Sequence, residues 1–504
     1  MLLVYAVATA KAQNDIDALR YSQTGVGGTA RFVSMGGAFG ALGGNTSCLS
    51  YNPAGIGIYR KGEINISPGL RFLNVNTDHN GSTNKVLTPN LIFSSGFGIA
   101  GSWQSPRNED TRHSLGMALN QLQNFNSRTT VQGYAKGKSI MQDIIANAGN
   151  SKISDLDPSY SGMAYSEYLL DTYNDGSYYG FIDPSKNMLQ TKTIKTTGKM
   201  NELAIGYTYG YKDKLYVGAS LGIPIISYNH TSIYTESDDK DSLRIYYDAS
   251  NTIRDTYSYP VNYYVQDTVN NELIGGFKSM DYTEVYKTSG SGYNLKLGAI
   301  YRVNDFLRVG ANFQTPTVLN LTDAYSYSMT TTFDSDVSYG QSYPENGGVY
   351  KYQIITPMRF GGSLGFVYKK LFCIGVDYES VDYGQSSLNS SDGSVFSGVN
   401  KVIRGKYVRT SNLRAGGEVM LNPVIVRLGY AMYGSPFGET FSGQFVRTTL
   451  SGGLGFRSNN WLFDFGLVRQ MYSEDYYMYN AEFADRTNVN VSGTTFVATI
   501  GCKF

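Results

Sequence analysis

The sequence predicts an all-β protein, a transmembrane antiparallel β-barrel of about 14 strands with an N-terminal segment lodged in its lumen. Three observations predict it. The chain ends on Thr494–Phe504, where the even positions from Phe496 are apolar or small and the last residue is Phe504, the aromatic finish of an outer-membrane strand. Only 16% of the residues are charged, yet no apolar run reaches the roughly 18 residues that a membrane helix needs, so the apolar residues are spread in alternation instead. Finally, the connections between alternating runs are short and long by turns, as in a barrel with tight turns at one rim and long loops at the other.

In chain order, Met1–Ala12 reads as a secretory signal peptide: an apolar core followed by Ala10-x-Ala12, with cleavage before Gln13. Its positively charged start is missing, which a true start upstream of Met1 would supply. Residues 13–59 lack alternation and are dense in Gly, with small apolar clusters at Phe32, Met35, Phe39 and Leu42 and a turn or helix start at Asn52-Pro53. Such a stretch ahead of a barrel has its natural home in the lumen. Residues 60–504 then form the barrel.

Its first strands lie at about 62–76 and 87–103, and a third begins near Ser114 with Leu115, Met117 and Leu119 on one face. Asn120-Gln121 interrupts that phase and Leu122 falls out of register, as a bulge would require. Clear pairs follow at 203–209 and 215–223, 293–301 and 307–313, 360–368 and 372–378, 413–421 and 424–432, and 446–456 and 461–467. Arg414, Glu418, Arg427, Arg447, Arg457 and Asp464 occupy the opposite phase and face a polar lumen, where they either bind a carboxylate head group or pair with one another.

Short turns fall at Lys212-Asp213-Lys214, Asn304-Asp305, Lys369-Lys370, Asn422-Pro423 and Asn459-Asn460; the long loops are about 130–198, 236–282, 330–349 and 384–406. Within the first loop, 139–148 and 165–173 carry helical spacing. The acidic run Glu236–Asp241 reads as a solvated loop tip, with divalent-cation binding as the alternative.

Composition excludes several function classes. A net charge of +1 without a basic tract gives no reason to expect nucleic acid. Cys48, Cys373 and Cys502 are too few and too scattered for a disulfide framework. With only His79, His113 and His230 and no nucleophile element beside them, no catalytic or metal-ligating set is expected and no cofactor is implied.

Met35-Gly36-Gly37-Ala38, Asn52-Pro53-Ala54-Gly55 behind it, the fourteen strands and the aromatic C-terminus resemble the FadL/TodX (OmpP1) family of outer-membrane transport proteins. Phe313–Thr317 and Ile355–Gly361, two strand-plus-Pro elements, add to the likeness. The resemblance implies passive uptake of long-chain fatty acids or other hydrophobic molecules in the outer membrane of a Gram-negative bacterium by a monomeric barrel closed by an N-terminal hatch. In the family, Asn-Pro-Ala lies against an inward kink of the third strand, which opens a sideways exit to the bilayer. Here that implies a gate at Asn52–Gly55, a hatch lining at Phe32, Met35, Phe39 and Leu42, and a kink at Asn120, Gln121 and Leu122. Further partners implied are outer-membrane lipid and lipopolysaccharide, and the barrel-assembly machinery through the Phe504 strand. A haem receptor and a general porin or structural outer-membrane protein are the alternatives.

Overall fold

The computed structural model describes residues 13–25, 27–240, 272–334, 336–369, 371–390, 395–438 and 445–504, together with short strands at 246–247, 253–255 and 265–267. The signal-peptide segment 1–12, Lys370 and Asp241 of the acidic run lie outside the described residues, as does most of 241–271.

Fourteen antiparallel strands close on themselves: β1 (Glu63–His79), β2 (Ser82–Ser105), β3 (Asn108–Asn124, resumed as Ser127–Tyr134), β4 (Leu189–Tyr211), β5 (Leu215–Ser237), β6 (Phe277–Arg302), β7 (Leu307–Gln314, resumed as Val318–Phe333), β8 (Ser338–Ile355, resumed as Arg359–Tyr368), β9 (Phe372–Asp382), β10 (Arg409–Met420), β11 (Val424–Tyr433), β12 (Arg447–Ser458), β13 (Trp461–Tyr477) and β14 (Arg486–Lys503). β1 and β14 form the closing seam, from Glu63 opposite Lys503 to His79 opposite Thr487. Phe504 extends it, exchanging backbone hydrogen bonds of 2.9 and 3.0 Å with Gly62, where a Cβ would strike the Phe504 ring.

The strands alternate strictly because one face meets the packed lumen and the other does not. On β5, Leu215, Val217, Leu221 and Ile225 point outward and are exposed; on β6, Tyr293, Leu295, Leu297 and Tyr301 do the same. This greasy belt is continuous in the half of the barrel nearer the short turns, with scattered exposed apolar residues such as Ile233 and Val349 above it. Beyond it the strands continue with Ser, Thr, Asn and Lys outside, so β6 runs for 26 residues, roughly 85 Å at about 3.3 Å per residue.

That extension corrects several boundaries. The expected loop at 330–349 is ladder: β7 runs to Phe333 and β8 starts at Ser338, with Thr332 paired to Ser338. Polar residues on both faces hide the period of two there. The loop expected from 130 to 198 narrows to 135–188, and the helix expected at 165–173 is α4 at Ser161–Ser166, followed by a strand at Leu170–Thr172. The helix expected from 139 is α3, Ile140–Ala148. Glu236 is not a solvated tip but fully buried; its Oε2 accepts from the Ile140 N–H (3.1 Å) at the start of α3 and from the Tyr234 hydroxyl (2.7 Å). The segment 384–406 holds α5, Ser397–Lys406.

α3 and α4 press Ile140, Met141, Ile144 and Met163 onto Tyr234, Met280, Tyr282 and Met329 of the rim, which caps the long-loop mouth with an apolar core. Below it, residues 13–58 fill the bore. α1 (Asp15–Ser22) is capped by Asn14, α2 (Ala30–Ser34) by Thr29, and two 3₁₀ turns, Thr46–Ser50 and Pro53–Ile58, by Asn45 and Asn52. Side-chain caps satisfy free N–H groups at the starts of these short helices.

Candidate functional site

Neighbouring wall strands part between β2 and β3. β2 pairs with β1 up to His79–Ser82, but with β3 only from Ser105 to Ser95, opposite Asn108 to Asn120. Among the described residues no ladder joins 82–94 to the upper part of β3. Three irregularities coincide there: register shifts beside Ser94 and Gly96 on β2, and one between Gln121 and Gln123 that leaves Leu122 as an extra residue on β3. Such bulges bend and twist a strand. Above the bend β3 steps inside the wall, where Thr77 and Asn80 of the β1–β2 hairpin donate to its Thr130 and Tyr134 carbonyls at 2.7 and 2.9 Å.

Residues 20–25, 27 and 28 lie against the bend. Gly25 N–H donates to the Leu122 carbonyl (2.8 Å), Gly28 N–H to Ser94 Oγ (3.1 Å), and Gln123 Nε2 to the Arg20 and Gln23 carbonyls (3.2 and 3.0 Å). Gly27 passes so close that a Cβ there would sit 1.8 Å from the Gln121 carbonyl oxygen, so only glycine fits. Asn120 donates to Ser50 Oγ at 3.0 Å.

The Asn52–Gly55 segment, expected against this bend, lies elsewhere. Asn52 Nδ2 donates to the Gly40 carbonyl at 2.7 Å and points at the Ala299 and Ala311 carbonyls, while Thr208 Oγ1 donates to the Pro53 carbonyl at 2.7 Å. The turn therefore packs on β4 to β7. Gly298 faces it, and a Cβ there would meet Asn52 Oδ1 at 1.9 Å. Phe32, Met35, Phe39 and Leu42 form one buried cluster with Cys48 and Cys373, and the three cysteines are free thiols. Of these four apolar residues, Phe32 borders the cavity described next.

A cavity of about 60 Å³ separates α1 from the rest of the segment and reaches Leu122 at the bend. It is lined by Tyr21, Ser22, Gly25 and Gly27 on one side and by strands β4 to β10 on the other. Two buried ion-pair centres project into it. Lys296 Nζ lies 2.6 Å from Glu202 Oε2, and Glu379 Oε1 accepts from Arg359 (3.0 Å) and Arg414 (3.3 Å). Three cations thus face two carboxylates. Breaks at Thr315-Pro316-Thr317 and Thr356-Pro357-Met358 let β7 and β8 bend at this level, since proline cannot donate to a ladder. The breaks bond to each other through Thr356 N–H to the Thr317 carbonyl (3.0 Å) and Thr317 N–H to Thr356 Oγ1 (3.1 Å).

Of the inward charges expected from sequence, Arg414 lines the cavity. Glu418, Arg427, Asp464 and Arg457 form a separate network with the lumenal segment: Arg31 grips Glu418 in a fork (2.6 and 3.0 Å), and Arg427 bridges Glu418 (2.9 Å) to Asp464 (2.8 Å). Arg447 donates to the Thr24 carbonyl at 3.2 Å. Glu202, Lys296, Arg359 and Glu379 were not singled out from sequence, although each holds the lumenal phase beside outward apolar neighbours such as Leu203, Leu295, Phe360 and Tyr378. His79, His113 and His230 do not converge: His79 pairs with Thr487 at the loop rim, His113 with Tyr207 outside, and His230 with Tyr228 inside.

Comparison with known structures places this geometry. A FadL homologue of Pseudomonas aeruginosa matches over 96% of this chain and 100% of its own at 12% identity, with a TM-score of 0.54. The toluene transporter TodX of P. putida matches over 96% and 99% at 12% identity, with a TM-score of 0.52. The chain has the FadL/TodX fold. No protein-family model and no curated protein matches the sequence. Like those barrels it closes with fourteen strands, and no helix among its described residues is long and apolar enough to cross a membrane.

Proposed function

We propose that this protein is an outer-membrane transporter for passive uptake of hydrophobic small molecules, long-chain fatty acids or similar amphiphiles, and that cargo leaves sideways between β2 and β3. The observation that carries the reading is the cavity that ends at Leu122, where the wall ladder stops and only residues 20–28 intervene. A fatty acyl chain gains about 0.8 kcal/mol for every methylene removed from water. A lateral door into the bilayer gives it a downhill path that a wet pore does not.

The cavity's composition favours an amphiphile over a plain hydrocarbon. Lys296, Arg359 and Arg414 outnumber Glu202 and Glu379 by one charge, room for a single carboxylate. At about 60 Å³ the cavity is smaller than the roughly 150 Å³ apolar cavity that holds benzene, so this is a closed state. Cargo enters when α1 and residues 20–28 shift. The lumenal charges also bear on the porin alternative, because Arg31, Glu418, Arg427 and Asp464 tie the segment into the bore rather than lining open water.

The reading is tested by expressing the protein in cells that lack their own fatty-acid channel and following labelled oleate and toluene. Oleate uptake is expected, with that of toluene weaker. Equal passage of a small hydrophilic sugar would overturn the assignment in favour of a porin.

A further inference from the structure

At the short-turn mouth, beside the Pro53–Ile58 turn, four arginines gather around one acid. Arg112 on β3, Arg302 at the end of β6 and Arg308 on β7 hold the lumenal phase, in step with Gly116 and Gly310, which face Leu49 and Gly40 of the lumenal segment, and with Ile300, which packs with Ala54. Arg60 joins them from the lumenal segment itself. Asp213, in the turn between β4 and β5, is the hub. Arg60 Nη2 lies 2.9 Å and Arg112 Nε 3.7 Å from its Oδ1, and Arg302 Nη1 donates to its backbone carbonyl at 3.0 Å. Arg60 also donates to the Tyr216 hydroxyl at 3.0 Å. Arg308 stands directly opposite Arg302 in the ladder, which puts their Cβ atoms about 4.5–5.5 Å apart.

The cluster is short of acceptors. Four cations face one inward carboxylate. Asp110 pairs with Lys212 at 3.7 Å, Glu109 and Asp305 are exposed in the neighbouring turns, and no ion pair among the described residues reaches Arg302 or Arg308. A guanidinium carries five N–H donors. The Arg112 side chain makes no hydrogen bond among the described residues although its Nε is buried, and Arg308 donates only to the Leu42 carbonyl, at 2.8 Å. Like charges opposite each other weaken a ladder, and a buried N–H without an acceptor is costly. An oxyanion with several acceptor oxygens relieves both, and guanidinium forks match phosphate in shape and charge.

We propose that this quartet binds a phosphate dianion, free or as a monoester, which bridges Arg60 of the lumenal segment to Arg112, Arg302 and Arg308 of the wall and clasps the segment at this mouth. The proposal stands apart from uptake, because binding is read in detergent without transport. The test is isothermal titration calorimetry of the folded barrel in a neutral detergent, near neutral pH and at fixed ionic strength, with inorganic phosphate, glycerol 3-phosphate or acetate as titrant. Phosphate should bind at least roughly tenfold more tightly than acetate. Glycerol 3-phosphate binding as tightly as phosphate would show that a monoester is held, and binding of inorganic phosphate alone would identify the free ion. R302Q/R308Q should lose roughly tenfold or more in affinity yet fold at least as stably as the parent, since it removes the opposed charges. R112Q, which removes a side chain without a hydrogen bond, should bind more weakly as well, whereas R107Q/K369Q, which removes two exposed cations from other turns of the same rim, should bind like the parent. Saturating phosphate should raise the thermal unfolding midpoint of the parent and leave that of R302Q/R308Q in place. No binding of phosphate, acetate binding as tightly as phosphate, or undiminished affinity in R302Q/R308Q would overturn the proposal.

Discussion

Residues 29–45 and residues 20–28 of the lumenal segment both touch the wall, but through different chemistry. The former are fixed by charge: Arg31 forks onto Glu418, and Gly40 N–H donates to Asp377 at 2.9 Å. The latter are held without an ion pair to the wall: Gly25 N–H donates to the Leu122 carbonyl, Gln123 to the Arg20 and Gln23 carbonyls, and the wall cations Arg359 and Arg447 each donate to one backbone carbonyl, of Ser22 and Thr24. Among the described residues no ion pair joins 20–28 to the wall. A neutral hydrogen bond contributes about 1 kcal/mol net and one from a charged group about 1.5–3 kcal/mol, whereas breaking a buried ion pair costs about 3–5 kcal/mol. The contrast assigns anchoring to the first region and movement to the second.

The largest effect should come from breaking the anchor. Glu418→Ala leaves Arg31 without its fork and Arg427 half-paired, so unfolding in urea should be easier by about 3 kcal/mol or more. Single-channel recordings should then show a leak. If stability and conductance both stay at parental values, the anchor is not where the charge lies.

Gly27→Ala comes next. Its Cβ cannot fit 1.8 Å from the Gln121 oxygen, so residues 20–28 must lift from the bend. Oleate uptake should change several-fold, with an unfolding midpoint altered far less than in Glu418→Ala. Gln123→Ala is milder: it removes two hydrogen bonds, about 1–2 kcal/mol, and should speed uptake modestly without a leak.

The smallest effect concerns the cap. Burial pushes the Glu167 carboxyl up to about 7, and its Oε2 has no partner among the described residues. A carboxyl with a raised folded-state pKa binds more protons folded than unfolded between its ordinary value of 4.5 and about 7, so cap stability should fall as pH rises through that window and level off above it. Protease sensitivity of the loop 135–188 reports it, and Glu167→Gln should flatten the profile. A stability that rises with pH across this range would contradict the sign.

What the sequence revealed follows the same physics. Strands within the greasy belt were legible because lipid on one side and a packed lumen on the other force a period of two, as at Leu215, Val217 and Leu221. The upper halves of β7 and β8 were not, because Thr, Ser and Tyr serve equally well on both faces outside a membrane. The bulge showed as a phase slip at Leu122. The place of Asn52-Pro53 did not, since which strand a lumenal turn meets depends on glycines such as Gly298, more than 200 residues away. The Lys296–Glu202 and Arg359–Glu379–Arg414 centres show only as isolated charges in lumenal phase, and partners on different strands leave no spacing to read.

The central claim, that residues 20–28 move away from the β3 bend to release cargo, is tested most directly by tying them together. In a chain whose Cys48, Cys373 and Cys502 are replaced by Ala, Gly25→Cys with Leu122→Cys places two thiols where Gly25 N–H now meets the Leu122 carbonyl. Oxidation should abolish oleate uptake and reduction should restore it; full uptake by the oxidised, cross-linked barrel would contradict the account.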